Sequence, residues 1–300
     1  MAPFSPRVYA HLPTERPNPR TRHIDRRSAL GIAQAINRED ALVAAAVSRQ
    51  SRAIARGMEM LAGCLRRRGT VVFIGAGTSG RLAVLEAAEC PPTYGTTSRE
   101  IRAVMAGGKS SVFRSKEGAE DDPKAGAQAV CMLGPDDAVV GIAASGVTPF
   151  VRSALKTARR LGCRTILVTS NGRPPGNPAE LTIAPDVGPE VVAGSTRMKS
   201  GTAAKLVLNT LTTGTMILLG KVYDRWMVDL KPTSHKLKLR GERIIAELGR
   251  TSPARARALF KSAGWSVKTA VVMARKKLSV DQAGKLLACC DGSLRKALEL

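Results

Sequence analysis

The chain has 300 residues, of which 44% are hydrophobic and only 3% aromatic, and its 47 lysines and arginines against 24 acidic residues give a formal charge of +23. That length allows one large domain or two smaller ones, and the apolar share excludes wholesale disorder while requiring a mostly aliphatic core. The surplus of charge lies in the flanks, with 13 basic against 5 acidic side chains up to residue 70 and 16 against 5 from Lys231 onward.

The start of the chain, "MAPFSPRVYAHLPTERPNPRTR", holds prolines and arginines but no apolar stretch of signal-peptide length, so secretion is not expected. From Ser28 to Arg68, alanine-rich apolar positions recur at helical spacing, with an interruption near Asn37–Asp40, and Gly69 ends the second helix. Short β-branched runs follow at 71–74, 101–105, 138–145, 165–170 and 181–184, separated by helical segments. Continuous apolar runs of this kind predict a mainly parallel sheet with both faces covered. The run from Leu206 to Gly220 is too short to span a bilayer comfortably and reads as a buried helix. From Lys231 the chain reads as helical and basic, with breaks at 249–253, Gly264 and Asp291-Gly292.

The expected architecture is therefore α/β: a three-layer sandwich on a mainly parallel sheet, with a helical N-terminal arm and a small all-helical C-terminal domain. The boundaries are 1–54 for the arm, 55–230 for the α/β domain and 231–300 for the basic helical domain. Six scattered cysteines (Cys64, Cys90, Cys131, Cys163, Cys289, Cys290) without a C-x-x-C pair predict reduced thiols in the cytoplasm and no metal site. The charge surplus fits either a nucleic-acid surface or a solvated basic exterior. Few aromatics, and no zinc-finger or basic-zipper spacing, make nucleic acid the lesser reading.

"VVFIGAGTSGRL" (71–82) runs a strand into Gly75-x-Gly77-x-x-Gly80. A dinucleotide site would also need an acid at the end of the next strand for the ribose hydroxyls. That strand, Ile101–Met105, leads into Ala106-Gly107-Gly108-Lys109 instead. Thr78 and Ser79 put two hydroxyls where the loop becomes a helix, which suits a compact anion. "GGKSS" (107–111) lacks the glycine five residues earlier that a Walker loop requires, since position 103 is Ala103. Further small, hydroxyl-rich turns, "AASGVTP", "TSNG" and "VAGSTRMKSG", fall after the other strands, with Ser195 and Thr196 available to cap the long helix. Ligands of open α/β sheets sit beyond the carboxyl ends of the strands, so these turns together favour a phosphorylated small molecule.

The acids in "EAAECPPTYG" (86–95) and "EGAEDD" (117–122) are not ranked by composition or spacing, and a helical glutamate before Pro91-Pro92, which should end its helix, is normally solvated. The stretch "GAGTSGRLAVLEAAECPPTYG" resembles the defining segment of the bacterial N-acetylmuramic acid 6-phosphate etherases. "TERPNPRTRHID", "EGAED", "GIAASGVTPFV" and "GPEVVAGSTRMKSGTAAKLVLN" extend the resemblance in order over residues 14 to 230. It implies a sugar-isomerase (SIS) domain, no cofactor, a cytoplasmic homodimer without membrane attachment, and release of D-lactate from a phosphorylated amino sugar in cell-wall recycling. By position it implies Glu89 and Glu120 as the catalytic pair, with Glu86, Glu117, Asp121 and Asp122 as bystanders. Glu89 is expected as the acid at the lactyl oxygen and Glu120 as the base at C2. Thr78, Ser79, Ser145 and Thr148, and more weakly Ser195, are expected at the phosphate or the sugar hydroxyls. Arg197 and Lys199 are expected to hold the lactate carboxylate or stabilise the enolate, or else to form surface ion pairs, and Cys90 is expected as a small buried thiol. Val147 departs from the family, which usually has a polar residue there. A non-catalytic sugar-phosphate sensor and an SIS-type isomerase are the alternatives; a sensor has no need of an acid–base pair.

Overall fold

The computed structural model describes residues 12–300. Residues 1–11, the first half of the proline- and arginine-containing start and of the expected arm's opening, with His11, lie outside the described residues. The chain forms two compact units, one of residues up to Ala87 with Arg99–Thr212, the other of Ala88–Ser98 with Thr213–Leu300.

The first unit opens with single 3-10 turns at Pro13–Glu15, Pro19–Thr21 and Ile24–Arg26, then α1 (Ala29–Ser48) and α2 (Ser51–Arg66). Strands β1 (Val71–Gly75), β2 (Ile101–Met105), β3 (Ala138–Ile142), β4 (Arg164–Val168) and β5 (Leu181–Ile183) follow. Between them lie α3 (Gly77–Tyr94), whose residues from Ala88 belong to the second unit, α4 (Pro123–Gln128) and α5 (Pro149–Arg160), and after β5 comes α6 (Lys199–Leu218), whose residues from Thr213 belong to it as well. The strands pair in the order β2-β1-β3-β4-β5, every pair parallel, with Val71 opposite both Ile101 and Ala138. All five expected runs are strands. β1 and β3 are buried along their whole length, as parallel strands covered on both faces must be. On one face Val72, Ile74, Val139 and Leu167 share a core with Val151 and Leu155 of α5. On the other, Gly57 of α2 lets the helix approach so closely that a Cβ there would stand 2.7 Å from Leu211 and 3.5 Å from Ile166. These are the three layers.

Four local expectations change. The polar residues Asn37–Asp40 do not interrupt a helix, because α1 runs through them and breaks only at Arg49–Gln50. Glu39 is buried in mid-helix, where Lys199 Nζ donates to its Oε2 at 2.7 Å, Arg20 Nη2 at 2.8 Å and Asn18 Nδ2 at 2.8 Å. A buried charge with its partners supplied from distant parts of the chain looks like a solvated break in sequence. Second, α3 continues past Pro91 and Pro92 to Tyr94. The prolines withhold two N–H donors but do not stop the turn, which closes with Gly95 N donating to Pro91 O at 3.0 Å. Third, β3 ends at Ile142, so Ala143–Ser145 belong to the following turn. Fourth, the run from Leu206 is not wholly buried: Val207, Leu208, Leu211 and Met216 are inside, while Leu206, Ile217 and Leu218 are exposed.

The second unit contains a small antiparallel hairpin, β6 (Val222–Tyr223) with β7 (Trp226–Met227), and helices α7 (His235–Gly249), α8 (Pro253–Ser262), α9 (Val267–Lys276), α10 (Val280–Cys289) and α11 (Leu294–Glu299). Each helix is opened by a serine N-cap, Ser234, Ser252, Ser266, Ser279 and Ser293, whose side chain accepts an N–H of the first turn. Ile244, Ile245, Phe260, Val271, Leu287 and Leu294 are among the buried residues of its core. The three expected breaks occur, and a fourth lies at Lys277, which takes the left-handed conformation (φ +57°) without being glycine. No helix among the described residues is long and apolar enough to cross a membrane.

Pairing holds the Glu39 carboxyl down to about 2 from a reference of 4.5, chiefly through the Arg20 hydrogen bond, with Lys199 and Asn18 adding and burial opposing. A depressed carboxylate stabilises the fold above its unfolded value, and the contribution is lost as pH falls through the folded one. This ionisation is thus expected to contribute on the order of 3 kcal/mol at neutral pH, disappearing between about pH 4.5 and 2. Glu39→Gln should lower stability by about 3–5 kcal/mol, since it leaves Lys199 charged and buried, and should flatten the acid limb. Urea denaturation as a function of pH measures both, and an unchanged acid limb would contradict the assignment.

Candidate functional site

The strand order places β1 between β2 and β3, so the connections leave it on opposite sides and open a crevice beyond the carboxyl ends of β1 and β3. The β1 turn is compressed there: a Cβ on Gly75 would lie 2.7 Å from the backbone nitrogen of Gly80, and one on Gly80 would lie 2.8 Å from Gly75 O. Gly77 has φ +54°. The glycines thus let α3 start directly on the strand end, with Thr78 and Ser79 in its first turn.

The β3 turn is pinned from several sides. Thr169 Oγ1 donates to Ala144 O at 3.0 Å, Asn171 Nδ2 to Ser145 O at 3.0 Å, and Arg152 Nη1 to Gly146 O at 3.0 Å. Arg152 is 2% exposed and also donates to Gly176 O at 2.8 Å; burial lowers its pKa. Gly146 takes φ +73°, which the turn requires. Ser145 Oγ accepts from Val147 N at 3.3 Å. Thr148 stands at the N-cap of α5 without capping it, which leaves its hydroxyl to the crevice.

These turns enclose a cleft of about 260 Å³ lined by Thr78, Ser79, Ser145, Val147, Thr148 and Glu120, together with Leu12 and Glu15 from the arm. Ser195 does not line it; its neighbours Gly194 and Thr196 do. Neither Ser195 nor Thr196 caps α6. The buried carboxylate of Glu190 accepts the N–H groups of Lys199 at 3.0 Å and Ser200 at 2.9 Å instead, and a carboxylate at that end also suits the helix dipole.

Glu120 follows Gly118 in a 3-10 turn and faces the cleft from the β2 side. The residue is exposed overall, yet its carboxyl looks into the crevice. Loss of solvent there raises its pKa, and the charges of Asp121 and then Glu117 raise it further. Asp121 lines the same cleft, so two of the expected bystanders act on Glu120 through the field. Asp122 caps α4, accepting from Lys124 N and Ala125 N. Glu86 is not solvated: it is 4% exposed, accepts Lys205 Nζ at 2.5 Å and Thr212 Oγ1 at 2.8 Å, and ties α3 to α6. Glu89 is exposed on α3, within the second unit. Lys199 is fully buried against Glu39 and unavailable to a ligand, while Arg197 is exposed and lines no part of the cleft. Cys90 is buried, and none of the six cysteines forms a disulfide. Among the described residues no group of three or more His, Cys, Asp or Glu side chains is placed to hold a metal ion.

An N-acetylmuramic acid 6-phosphate etherase of Salinibacter ruber is 46% identical over 292 residues, covering 96% of this chain and 94% of its own. Another, of Rhodopirellula baltica, is 45% identical and covers 96% of each. The chain belongs to the N-acetylmuramic acid 6-phosphate etherase family. A relative from Symbiobacterium thermophilum with the same name is 50% identical over 252 residues, covering 83% of this chain and 84% of its own. Residues 53–159 also match the family described as the glucokinase regulatory protein N-terminal SIS domain. That segment holds the β1 turn, Glu89, Glu120 and the β3 turn, so the chain is an etherase-family enzyme built on an SIS domain.

Three contributors escaped sequence reasoning. Arg152 was hidden in the apolar stripe of α5, Glu190 lacked any helix-start pattern at its distance from Lys199, and Glu15 lies in an arm with no periodicity. A cationic residue within an apolar stripe is the one signal that was available.

Because Asp121 raises Glu120, Asp121→Asn is expected to lower the Glu120 pKa, and Glu117→Gln to lower it less. Carboxyl NMR titration of the wild type and both variants checks the order, which an upward shift in either variant would refute.

Proposed function

We propose that the enzyme cleaves the D-lactyl ether of N-acetylmuramic acid 6-phosphate, giving N-acetylglucosamine 6-phosphate and D-lactate by elimination followed by hydration. The observation that carries this reading is the carboxyl of Glu120, with its raised pKa, facing a hydroxyl-lined cleft at the switch point of the sheet, in a chain of this family.

Thr78, Ser79, Ser145 and Thr148, with the N–H groups at the starts of α3 and α5, suit a phosphate or sugar hydroxyls. Val147, at 2% exposure, presents a methyl surface among them. Ring opening exposes an aldehyde at C1 and makes the C2 proton acidic. The Glu120 carboxylate removes that proton, a step for which a raised pKa is an advantage. The C2–H electrons form the C2=C3 double bond, the C3–O bond breaks, and the carboxyl of Glu89 protonates the departing oxygen of D-lactate. Glu120 is then protonated and Glu89 ionised. Glu89 takes a proton from water as its oxygen adds to C3, and Glu120 returns a proton to C2. Both groups end as they began, and one water is consumed per ether. Two carboxyls held at different protonation states supply this whole sequence. The assignment of Glu89 rests on the family motif.

The same reading places the enzyme in the cytoplasm as a homodimer. Leu30, Leu42 and Leu206 are 67%, 44% and 36% exposed, which provides apolar surface on α1 and α6 for a second copy.

In heavy-oxygen water the reaction is expected to release unlabelled D-lactate and a sugar labelled at C3, read by mass spectrometry. Glu89→Ala should still exchange the C2 proton with solvent while releasing lactate at least 100-fold more slowly. Lactate carrying the label, or saturable binding of the sugar phosphate without turnover, would rule out the elimination.

A further inference from the structure

Beside the cleft lies a second cavity of about 170 Å³, reached past Ala76, Gly77 and Glu120, which line both. Its other walls include Arg81, Ser111, Ser115, Lys116 and Glu117. Among the described residues no lysine or arginine lines the main cleft; this cavity has two cationic side chains.

We propose that this side cavity holds the carboxylate of the lactyl group, with Arg81 and Lys116 as its cationic contacts and Ser111 as a hydroxyl donor. The inference rests on the etherase reading above and extends it to substrate selection.

Four observations support it. Ser111, which lines the cavity, is 1% exposed, and its Oγ has no hydrogen-bond partner among the described residues. A buried hydroxyl left unsatisfied costs about 1–3 kcal/mol, which a ligand oxygen at that position would recover. Arg81 is held rigidly: its Nε donates to Val112 O at 2.8 Å and its Nη2 to Ser111 O at 3.0 Å. A guanidinium has five N–H donors, so this anchoring leaves others for a planar carboxylate, the geometry that arginine matches best. Lys116 forms no ion pair among the described residues and is exposed at the cavity. Finally, at about 170 Å³ the cavity is smaller than the adjoining cleft of about 260 Å³, so it suits a substituent of a sugar seated in the larger space.

The loop geometry explains how "GGKSS" comes to serve here. Gly107 has φ +80°, and a Cβ on it would fall 2.3 Å from Ser111 Oγ. Only glycine lets the chain fold back over that hydroxyl. The motif is no nucleotide loop, yet its bend forms one wall of the cavity. The carboxylate would also lie next to Glu120. A second negative charge there pushes the Glu120 pKa further up, in the same direction as burial, Asp121 and Glu117 already do, and so makes it a stronger base when a lactyl ether, and not a plain amino sugar, is bound. With Lys199 committed to Glu39 and Arg197 away from the cleft, this pocket supplies the cations that the lactyl group requires.

The test uses two open-chain sugars made by borohydride reduction of N-acetylmuramic acid 6-phosphate and N-acetylglucosamine 6-phosphate. Neither has an aldehyde, so neither can react, and they differ only in the lactyl group. Calorimetry on the wild type is expected to show about tenfold tighter binding of the lactyl sugar, the strength of one charge-assisted hydrogen-bond pair. Lys116→Ala, which breaks no side-chain hydrogen bond among the described residues, should reduce that ratio at least threefold. Arg81→Gln should bring it close to one. Affinity for the sugar without lactate should stay within twofold in both variants. An unchanged ratio in both variants overturns the inference. So does equal weakening of both sugars, which would assign the cavity to the phosphate. Lactate release with an unaltered ratio would sink this inference alone; a ratio that responds as expected in an enzyme that releases no lactate would sink the etherase reading alone.

Discussion

The buried carboxylate of Glu39 is the point on which the first unit depends. It joins α1 to the arm through Asn18 and Arg20 and to the first residue of α6 through Lys199. Lys199 also donates to Val187 O at 2.8 Å, while Glu190 receives the N–H groups that start α6. Burying charge is expensive, and such a pair does not raise stability by its mere presence. Its value lies in register. Any shift of α1, the arm or α6 would strand a charge away from water, so the three are admitted in one arrangement only. The arm is held by further bonds in the same place: Thr21 Oγ1 donates to Val191 O at 2.8 Å and Gly194 N to Thr14 O at 3.0 Å. Through these contacts Leu12, Glu15, Gly194 and Thr196 reach the cleft.

A second constraint acts at the carboxyl end of the sheet. The Gly75–Gly80 contact brings the start of α3 onto β1, and the Arg152, Thr169 and Asn171 hydrogen bonds hold the β3 turn open beside it. Neither turn is shaped by its own residues alone. The β3 turn takes its form from the ends of β4 and α5, which explains why serine and threonine hydroxyls that would otherwise cap helices remain turned to the crevice.

The electrostatics of the two cavities differ in a way that suits a doubly anionic sugar. The cleft offers hydroxyls and backbone N–H groups and, among the described residues, no cationic side chains, whereas the cavity behind Glu120 has Arg81 and Lys116. Glu120 stands where the two meet. Its raised pKa comes from lost solvent and from acids on its own turn.

The strands, their parallel pairing and the helical end of the chain were legible in sequence because burial on both faces demands continuous apolar runs, and because serine caps and glycine breaks are local signals. The glycine spacing and its two hydroxyls pointed to a turn that lines the cleft for the same reason: the requirement is written in adjacent residues. Family resemblance was needed to single out Glu89 and Glu120, since a carboxylate's role depends on what surrounds it. Glu86 read as a surface charge, Lys199 as a ligand contact or a surface ion pair, and α1 as broken near Glu39, because the partners that make their burial tolerable come from other elements, 119 and 126 residues away for Glu86 and 19, 21 and 160 for Glu39. Arg152 was unreadable for a related reason, since its acceptors Gly146 O and Gly176 O are brought to it by the turn after β3 and the loop after β4. Adjacent residues specify elements and turns; which charges are inside, and which polar atoms remain open to a ligand, was settled only when the folded chain brought distant groups within hydrogen-bond reach.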